Sequence, residues 1–590
     1  MVYRLGSYLF FLYAAAAFAV CQRNFFVYIS EMPRYSLVIT AVFFIISIIM
    51  ILIGLCRPNL FYALAVIPAV TGVYFFYLAP LKMAYYVFFG IMLLFLYGGF
   101  IYDSMKTAEA PPAGRGSVYK WVFSGLLISS AGMAAAILYV NYADPEILWF
   151  FPFRIDGYKG NMNWYDGINY EVFREFSGLL ITILYLGAVI FFARLVASGK
   201  VRGVAAIIAG LVAAAFLGKI AFSLMTTMGI GHMEAKIKGP LMSTYYYWAA
   251  RSPDIGEFIA NYASKYQSYH NAAHLKGHPP MQVVFYWLII THVSKSPLAA
   301  SLIYGFITAL GVIPFFFLTR HLTGSLKAGF FAALLYALTP NSLIMSVAGT
   351  EGMITFLTVL FLAMAVIGAS KNSVWLLLFA GLCFGLNTYF HFGIWPLLMF
   401  VFLMIMKWEV FASGTGRVSE LLKWAGKVFV VLAGVAAAHL IIWMAFKGTF
   451  DYVESFNKAK ELSVGFMLTR PYEIWSWANF FHWAQYITPP VLALFVFRFF
   501  RIPRITPEAA RFAIMALAMV FVQFTASLGR AETHRMYMYL IAFVVPVAAM
   551  ALLRPAENNE GYSLGKEAVS VAAMTAAYSV LLQVFVADLL

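Results

Sequence analysis

Apolar runs of roughly 17–25 residues, the length that crosses a bilayer as a helix, recur along the whole chain, most of them separated by short polar connections. A backbone in lipid must satisfy its own hydrogen bonds, so these runs are expected to be helical. The pattern predicts an all-α polytopic membrane protein of about seventeen spans. The first group falls near residues 5–21, 36–56, 59–78, 83–102, 120–141, 176–198 and 204–226. The second falls near 298–319, 328–346, 353–369, 374–390, 393–408, 428–446, 486–500, 511–528, 537–553 and 567–588. The first run follows only Val2-Tyr3-Arg4, with no small-residue cleavage site ahead of a soluble domain. It reads as a retained anchor rather than a signal peptide.

One stretch breaks the pattern. Between His232 and Pro280 the chain is polar, holds Glu234, Asp254, Glu257 and several histidines, and ends in His274-Leu-Lys-Gly-His278-Pro279-Pro280. The apolar segment Met281–Ile290 that follows is too short to cross comfortably, so it is expected to lie at the membrane surface or to re-enter it. A second polar loop, Lys447 to Pro490, contains Trp475, Trp477, Asn479 and His482.

Composition agrees with this class: 63% of residues are hydrophobic and 11% charged, and the mean hydropathy is +0.83. The net charge of +15 resides in short connections rather than in a nucleic-acid-binding face. Basic clusters occur at Lys106–Lys120, Arg194–Arg202, Arg320–Lys327, Lys407–Lys427, Arg498–Arg504 and Arg554–Lys566. The bias of basic residues toward cytoplasmic loops then places the N-terminus in the cytoplasm. Cys21, Cys56 and Cys383 fall in or beside apolar runs and suggest neither a disulfide framework nor a zinc site.

This topology sends His232, His270, His274, His278, His391, His482 and His534 to the external face, together with Glu234, Asp254, Glu257, Glu351, Glu473 and Glu532. Longer external loops account for part of that. They do not account for Glu351 and His391, which sit in very short turns between apolar runs, where a charge is costly without a partner. Asn479 and His482 share a helical face at a three-residue spacing. Arg530, Glu532 and Arg535 crowd one turn, either as an anion site, since guanidinium binds phosphate in a bidentate fork, or as a local ion pair. Lys219 and His439 are the main ionisable residues inside apolar runs.

The His278-Pro-Pro segment, the run ending Leu318-Thr-Arg-His-Leu-Thr-Gly324, the acidic turn Gly349-Thr-Glu351-Gly, the Arg470-Pro-Tyr…Trp475…Asn479…Pro489-Pro490 loop and the late Glu532-x-x-Arg535 turn resemble a known family. They look like GT-C glycosyltransferases of the protein O-mannosyltransferase and aminoarabinose-transferase type, and are most similar to prokaryotic membrane proteins sharing the His-Pro-Pro segment. The resemblance covers about residues 204–553. It leaves 1–203, with about six spans, unassigned, and 554–590 as a cytoplasmic linker and last span.

The resemblance implies a GT-C-like bundle with external loops 227–297 and 447–485, and an active site at the external membrane surface. It further implies a polyprenyl-phosphate-linked sugar as donor, and a protein, lipid or glycan hydroxyl as acceptor. A first-loop acid would be the base: Asp254, twenty-four residues before His278, with Glu234 as the alternative. Relatives carry an Asp-Glu pair where this chain reads Gly231-His232-Met233-Glu234, and an acid where Lys276-Gly277-His278 stands. Lys276, Arg530 and Arg535 would meet the lipid phosphate. His278, Glu351, His391, Asn479, His482 and Glu532 would line the substrate site, and His278 with Glu351 are the candidates for a divalent metal. A multi-span transporter or flippase of lipid-linked or small polar substrates is the rival reading; it predicts repeated halves and broken spans. A membrane scaffold is a third.

Overall fold

The computed structural model describes residues 176–226, 228–238, 243–264, 273–407, 417–469, 483–484, 486–488, 490–492, 494–495, 506–526, 537–555, 562–564 and 567–585. The expectations for the first five spans, and for most of the loop 470–485, lie outside these residues. The chain divides into two compact units, one of residues 1–169, 470–485 and 585–589, the other of 170–469, 486–584 and Leu590. The described residues lie almost wholly in the second and are helical with one pair of three-residue strands, Leu553–Pro555 and Tyr562–Leu564.

Among the described residues, five stretches are long and apolar enough to cross a membrane: Ser177–Ala197, Val204–Leu224, Pro297–Thr323, Glu351–Lys371 and Val418–Ala445; a bent pair supplies a sixth if it is one span. Helices α1 (Phe176–Ala197) and α2 (Val204–Leu224) pack against each other. Three short helices follow, α3 (Gly231–Lys238), α4 (Ser243–Arg251) and α5 (Ile255–Ala260), then α6 (Ala273–Gly277) and α7 (Met281–His292). Helices α8 (Pro297–Ala309) and α9 (Val312–Thr323) form one long element.

Helix turns are written plainly in the sequence. Gly324, at φ 68°, ends α9, and Ser325 caps α10 (Leu326–Leu338) by accepting the Ala328 N–H. Asn372, at φ 50°, ends α12 (Glu351–Lys371), and Ser373 caps α13 (Val374–Thr388). A left-handed residue followed by a serine oxygen satisfies the loose carbonyls of one helix and a loose N–H of the next.

The expected span 328–346 is not one straight helix. After α10 the chain bends by 62° into Pro340–Val347, which comprises α11 (Pro340–Leu343) and a short 3-10 turn. Pro340 lacks an N–H to continue the ladder and biases Thr339 toward the extended conformation it adopts (ψ 149°). Carbonyls of this broken segment are taken by lysine side chains: Lys219 reaches the carbonyl of Ser342 and the hydroxyl of Ser346, and Lys236 the carbonyl of Ile344 at 2.7 Å. The runs predicted at 374–390 and 393–408 form α13, of 15 residues, and α14 (Pro396–Ile405), of 10, shorter than a full crossing requires.

The bundle continues with α15 (Arg417–Ala445), α16 (Tyr452–Thr469), α17 (Pro507–Ala526), α18 (Ile541–Met550) and α19 (Glu567–Phe585). Helix α10 from Ala328 onward and α18 throughout are buried and touch each other, as expected of helices apolar all round. Helices α13 and α15 approach so closely that a Cβ on Gly381 would lie 2.0 Å from the Val431 carbonyl oxygen, and one on Gly434 2.2 Å from that of Leu378. Small residues permit such backbone contact where no hydrophobic drive operates between helices in lipid.

Among the described residues, the basic connections around Ala197, Lys327 and Lys427 gather at one end. Lys327 donates to the Ala197 carbonyl and Lys427 to that of Ala369, each at 2.7 Å, and Thr506 donates to Leu322 at 3.2 Å. These lysines sit on helix C-termini, where loose carbonyls and the helix dipole favour a cation. Because α12 runs toward this end and α13 leads away from it, Glu351, Thr388 and the loop beyond lie at the other.

At that other end the polar interruption is a folded layer. Helices α3 to α7 enclose a core of Ile237, Tyr245, Tyr262, Leu275, Val283 and Tyr286, joined by Ala348 of the re-entrant turn. The segment after Pro280, expected to be too short for a full crossing, forms the twelve-residue helix α7.

Candidate active site

His278 lies in the turn between α6 and α7. Tyr262, buried on the loop after α5, points its hydroxyl at the carbonyls of Leu275 and His278, 2.7 Å from the latter. Pro279 and Pro280 follow and stiffen the approach to α7, and the Met281 N–H donates 3.3 Å to the Tyr389 carbonyl at the end of α13. That bond ties the His278 turn to the loop carrying His391.

The two imidazoles meet there. Their ring centroids lie 5.2 Å apart with the planes at 71°; Tyr245 sits edge-on to His278 at 6.4 Å, and Tyr539 lies 6.5 Å from His391. His278 is buried and His391 half-buried. Burial, with His278 alongside, pushes the His391 imidazole down to about 3, so it is neutral at neutral pH.

The tautomer of His391 follows from one bond. Its Nδ1 accepts the Gly393 N–H at 2.8 Å, and a backbone N–H can only donate. The neutral ring therefore carries its proton on Nε2. His391 is thus a fixed, uncharged hydrogen-bond donor, suited to an oxyanion and unsuited to binding a metal through Nε2. Among the described residues no group of three or more His, Cys, Asp or Glu comes together as a metal site.

The remaining expected residues take varied places. Asp254 is exposed and caps α5, its Oδ1 accepting the N–H groups of Gly256 (2.7 Å) and Glu257 (3.3 Å). Glu234 pairs with Lys238 one turn on along α3. Lys276 is half-buried on α6. Glu351 opens α12 and is 4% exposed. Asn479, His482, Arg530, Glu532 and Arg535 lie outside the described residues.

Sequence reasoning missed the supports. Tyr262 and Gly393 carry no motif, although a glycine two residues after a histidine is a mild signal for a side chain folding back onto the backbone. Behind the dyad, His439 of α15 lies 2.9 Å from the Tyr389 hydroxyl through Nδ1 and 3.2 Å from the Thr388 hydroxyl through Nε2. Thr388 already donates to the Gly385 carbonyl at 2.7 Å, so Nε2 is the donor and Nδ1 accepts from Tyr389. Trp395 stacks on this ring at 6.0 Å. No known protein family matches the chain, nor does any curated protein.

Proposed function

We propose that this chain is a glycosyltransferase that moves a sugar from a polyprenyl-phosphate-linked donor to an acceptor hydroxyl at the external face of the membrane. The observation that carries the reading is the His278–His391 dyad, held at the end of the bundle opposite the basic connections. If those connections are cytoplasmic, as the distribution of basic residues favours, the dyad faces outward, where a lipid-linked head group meets an aqueous acceptor while its tail stays in the bilayer. The reaction needs a donor to the phosphate that leaves, and the Nε2–H of His391 is one that costs no reorganisation. It also needs a carboxylate to take the acceptor proton as the hydroxyl attacks the anomeric carbon; Asp254 and Glu234 on the first loop are the candidates. No step is routed through a metal ion.

One observation favours the rival transporter reading, the 62° break in Leu326–Val347, since broken helices bind coupling ions in transporters. Against it, the freed carbonyls of Ser342 and Ile344 already hold the side chains of Lys219 and Lys236.

The test is turnover of radiolabelled polyprenyl-phosphate sugars by the purified protein in nanodiscs. Release of lipid phosphate that requires His391 supports the transferase; uptake of the intact lipid into sealed vesicles, without release, replaces it with transport.

A further inference from the structure

The loop 389–395 carries His391 from the end of α13 to the start of α14, through a short 3-10 turn at Phe392–Ile394. A helix C-terminus leaves carbonyls without donors of its own, and here distant elements take them. The Tyr389 carbonyl accepts the Met281 N–H at the head of α7. The Thr388 carbonyl accepts the hydroxyl of Tyr452, from α16, at 3.2 Å. That same hydroxyl accepts the Trp395 indole N–H at 3.1 Å. One oxygen on α16 thus holds the chain on both sides of His391.

His439 of α15 holds the same two sides by another route. Its nitrogens meet the Tyr389 and Thr388 hydroxyls, its face stacks on Trp395, and Tyr452 stands edge-on to it at 5.4 Å. It lies within the apolar stretch Val418–Ala445, where an ionisable side chain is costly. A leucine or phenylalanine would fill the space more cheaply. What the imidazole and the Tyr452 phenol add is direction, because a fully partnered polar network admits one arrangement whereas apolar side chains tolerate several. We infer that His439 and Tyr452 are positioning residues: they fix loop 389–395, and through it hold the His391 imidazole against His278. The inference rests on the transferase reading and deepens it, since a hydrogen-bond donor spares reorganisation at the leaving phosphate only while the loop that carries it is fixed.

The test measures release of lipid phosphate from polyprenyl-phosphate sugars, and the nitrogen-15 shifts of His391, in the full-length protein in nanodiscs. The variants are Tyr452→Phe, His439→Leu and His439→Asn, with the His391 signals assigned by their loss in His391→Gln. Tyr452→Phe and His439→Leu are each expected to lower kcat about tenfold, with KM for the donor lipid within about twofold of wild type. Both should narrow the separation between the two ring-nitrogen shifts, as a loosened ring exchanges its tautomers. His439→Asn, whose Oδ1 stands near the Nδ1 it replaces, should restore most of both. Wild-type kcat and shifts in Tyr452→Phe and His439→Leu overturn the inference, as does a lowered Tm with neither changed. So does His439→Asn behaving no better than His439→Leu. These outcomes leave the transferase reading standing. Absence of release by wild type overturns that reading instead, and the shifts alone then decide whether His439 and Tyr452 set the ring.

Discussion

The N–H of Gly393 donates to Nδ1 of His391 at 2.8 Å, and the ring lies so close over that glycine that an added Cβ would stand 2.7 Å from Cε1. The contact sets both the position and the tautomer of the imidazole facing His278. Gly393→Ala is therefore expected to swing the ring off its backbone donor and lower donor-lipid turnover by about tenfold or more, the scale of one misplaced oxyanion donor. The apparent Tm should move little. Nitrogen-15 shifts of labelled histidine report the tautomer directly; unchanged shifts in the variant would refute the lock.

His391 also makes a pH prediction. Its folded value is pushed down to about 3 from an ordinary 6.5, by burial first and by His278 second. Between those values the unfolded chain holds the extra proton, so stability rises with pH across the window. The contribution is fully present above about pH 6.5 and is lost as pH falls toward 3. The drop in apparent Tm from pH 7.5 to pH 5 should thus be smaller in His391→Gln than in wild type. Equal drops would mean the ring titrates normally in the fold.

Lys219 supports the re-entrant turn from a distance, reaching the Ser342 carbonyl across 123 residues of sequence. Lys219→Met retains the aliphatic stem but removes a donor from both the Ser342 carbonyl and the Ser346 hydroxyl, leaving them the bond they make to each other. Each lost hydrogen bond is worth about 0.5–1.5 kcal/mol, so a fall in thermal stability of the detergent-solubilised protein is expected. Retention of wild-type Tm would show that the carbonyls find other donors.

How much of this was legible beforehand varies by element. The hairpin turns could be read from Gly324-Ser325 and Asn372-Ser373, and the start of α7 from Pro279-Pro280, because caps and prolines act locally. The break after α10 had its signal in Pro340, but hydropathy averaged over the run 328–346 conceals a bend. The partners of Lys219 and Lys236 could not be read at all, since a carbonyl in a broken helix leaves no residue-type signature. The dyad was half visible: His278 and His391 each stood out by position, whereas their meeting depends on the Met281–Tyr389 backbone bond, which joins segments more than a hundred residues apart.

The α13–α15 contact has a built-in control. Gly381 and Gly434 face each other's backbones, whereas a Cβ on Gly426, on the same α15, meets nothing within 4 Å. Gly381→Leu is expected to separate the two helices, shift Thr388 away from His439, and reduce monodisperse protein on size exclusion severely. Gly426→Leu should behave as wild type. Similar yields for both variants would mean that the helices separate without consequence.

The base can be distinguished from the cap at Asp254. Its Oδ1 accepts two backbone N–H groups at the start of α5, so Asp254→Ala loses about 1 kcal/mol of capping as well as any chemistry. Asparagine caps as well as aspartate but cannot take a proton. Asp254→Asn is therefore expected to keep the wild-type Tm and, if Asp254 is the base, to lose turnover by about a hundredfold or more with donor-lipid binding intact. Full activity in Asp254→Asn together with loss in Glu234→Gln would transfer the role to Glu234, whose present partner, Lys238, lies on the same short helix. Activity in both variants would remove the first-loop carboxylates from the chemistry altogether.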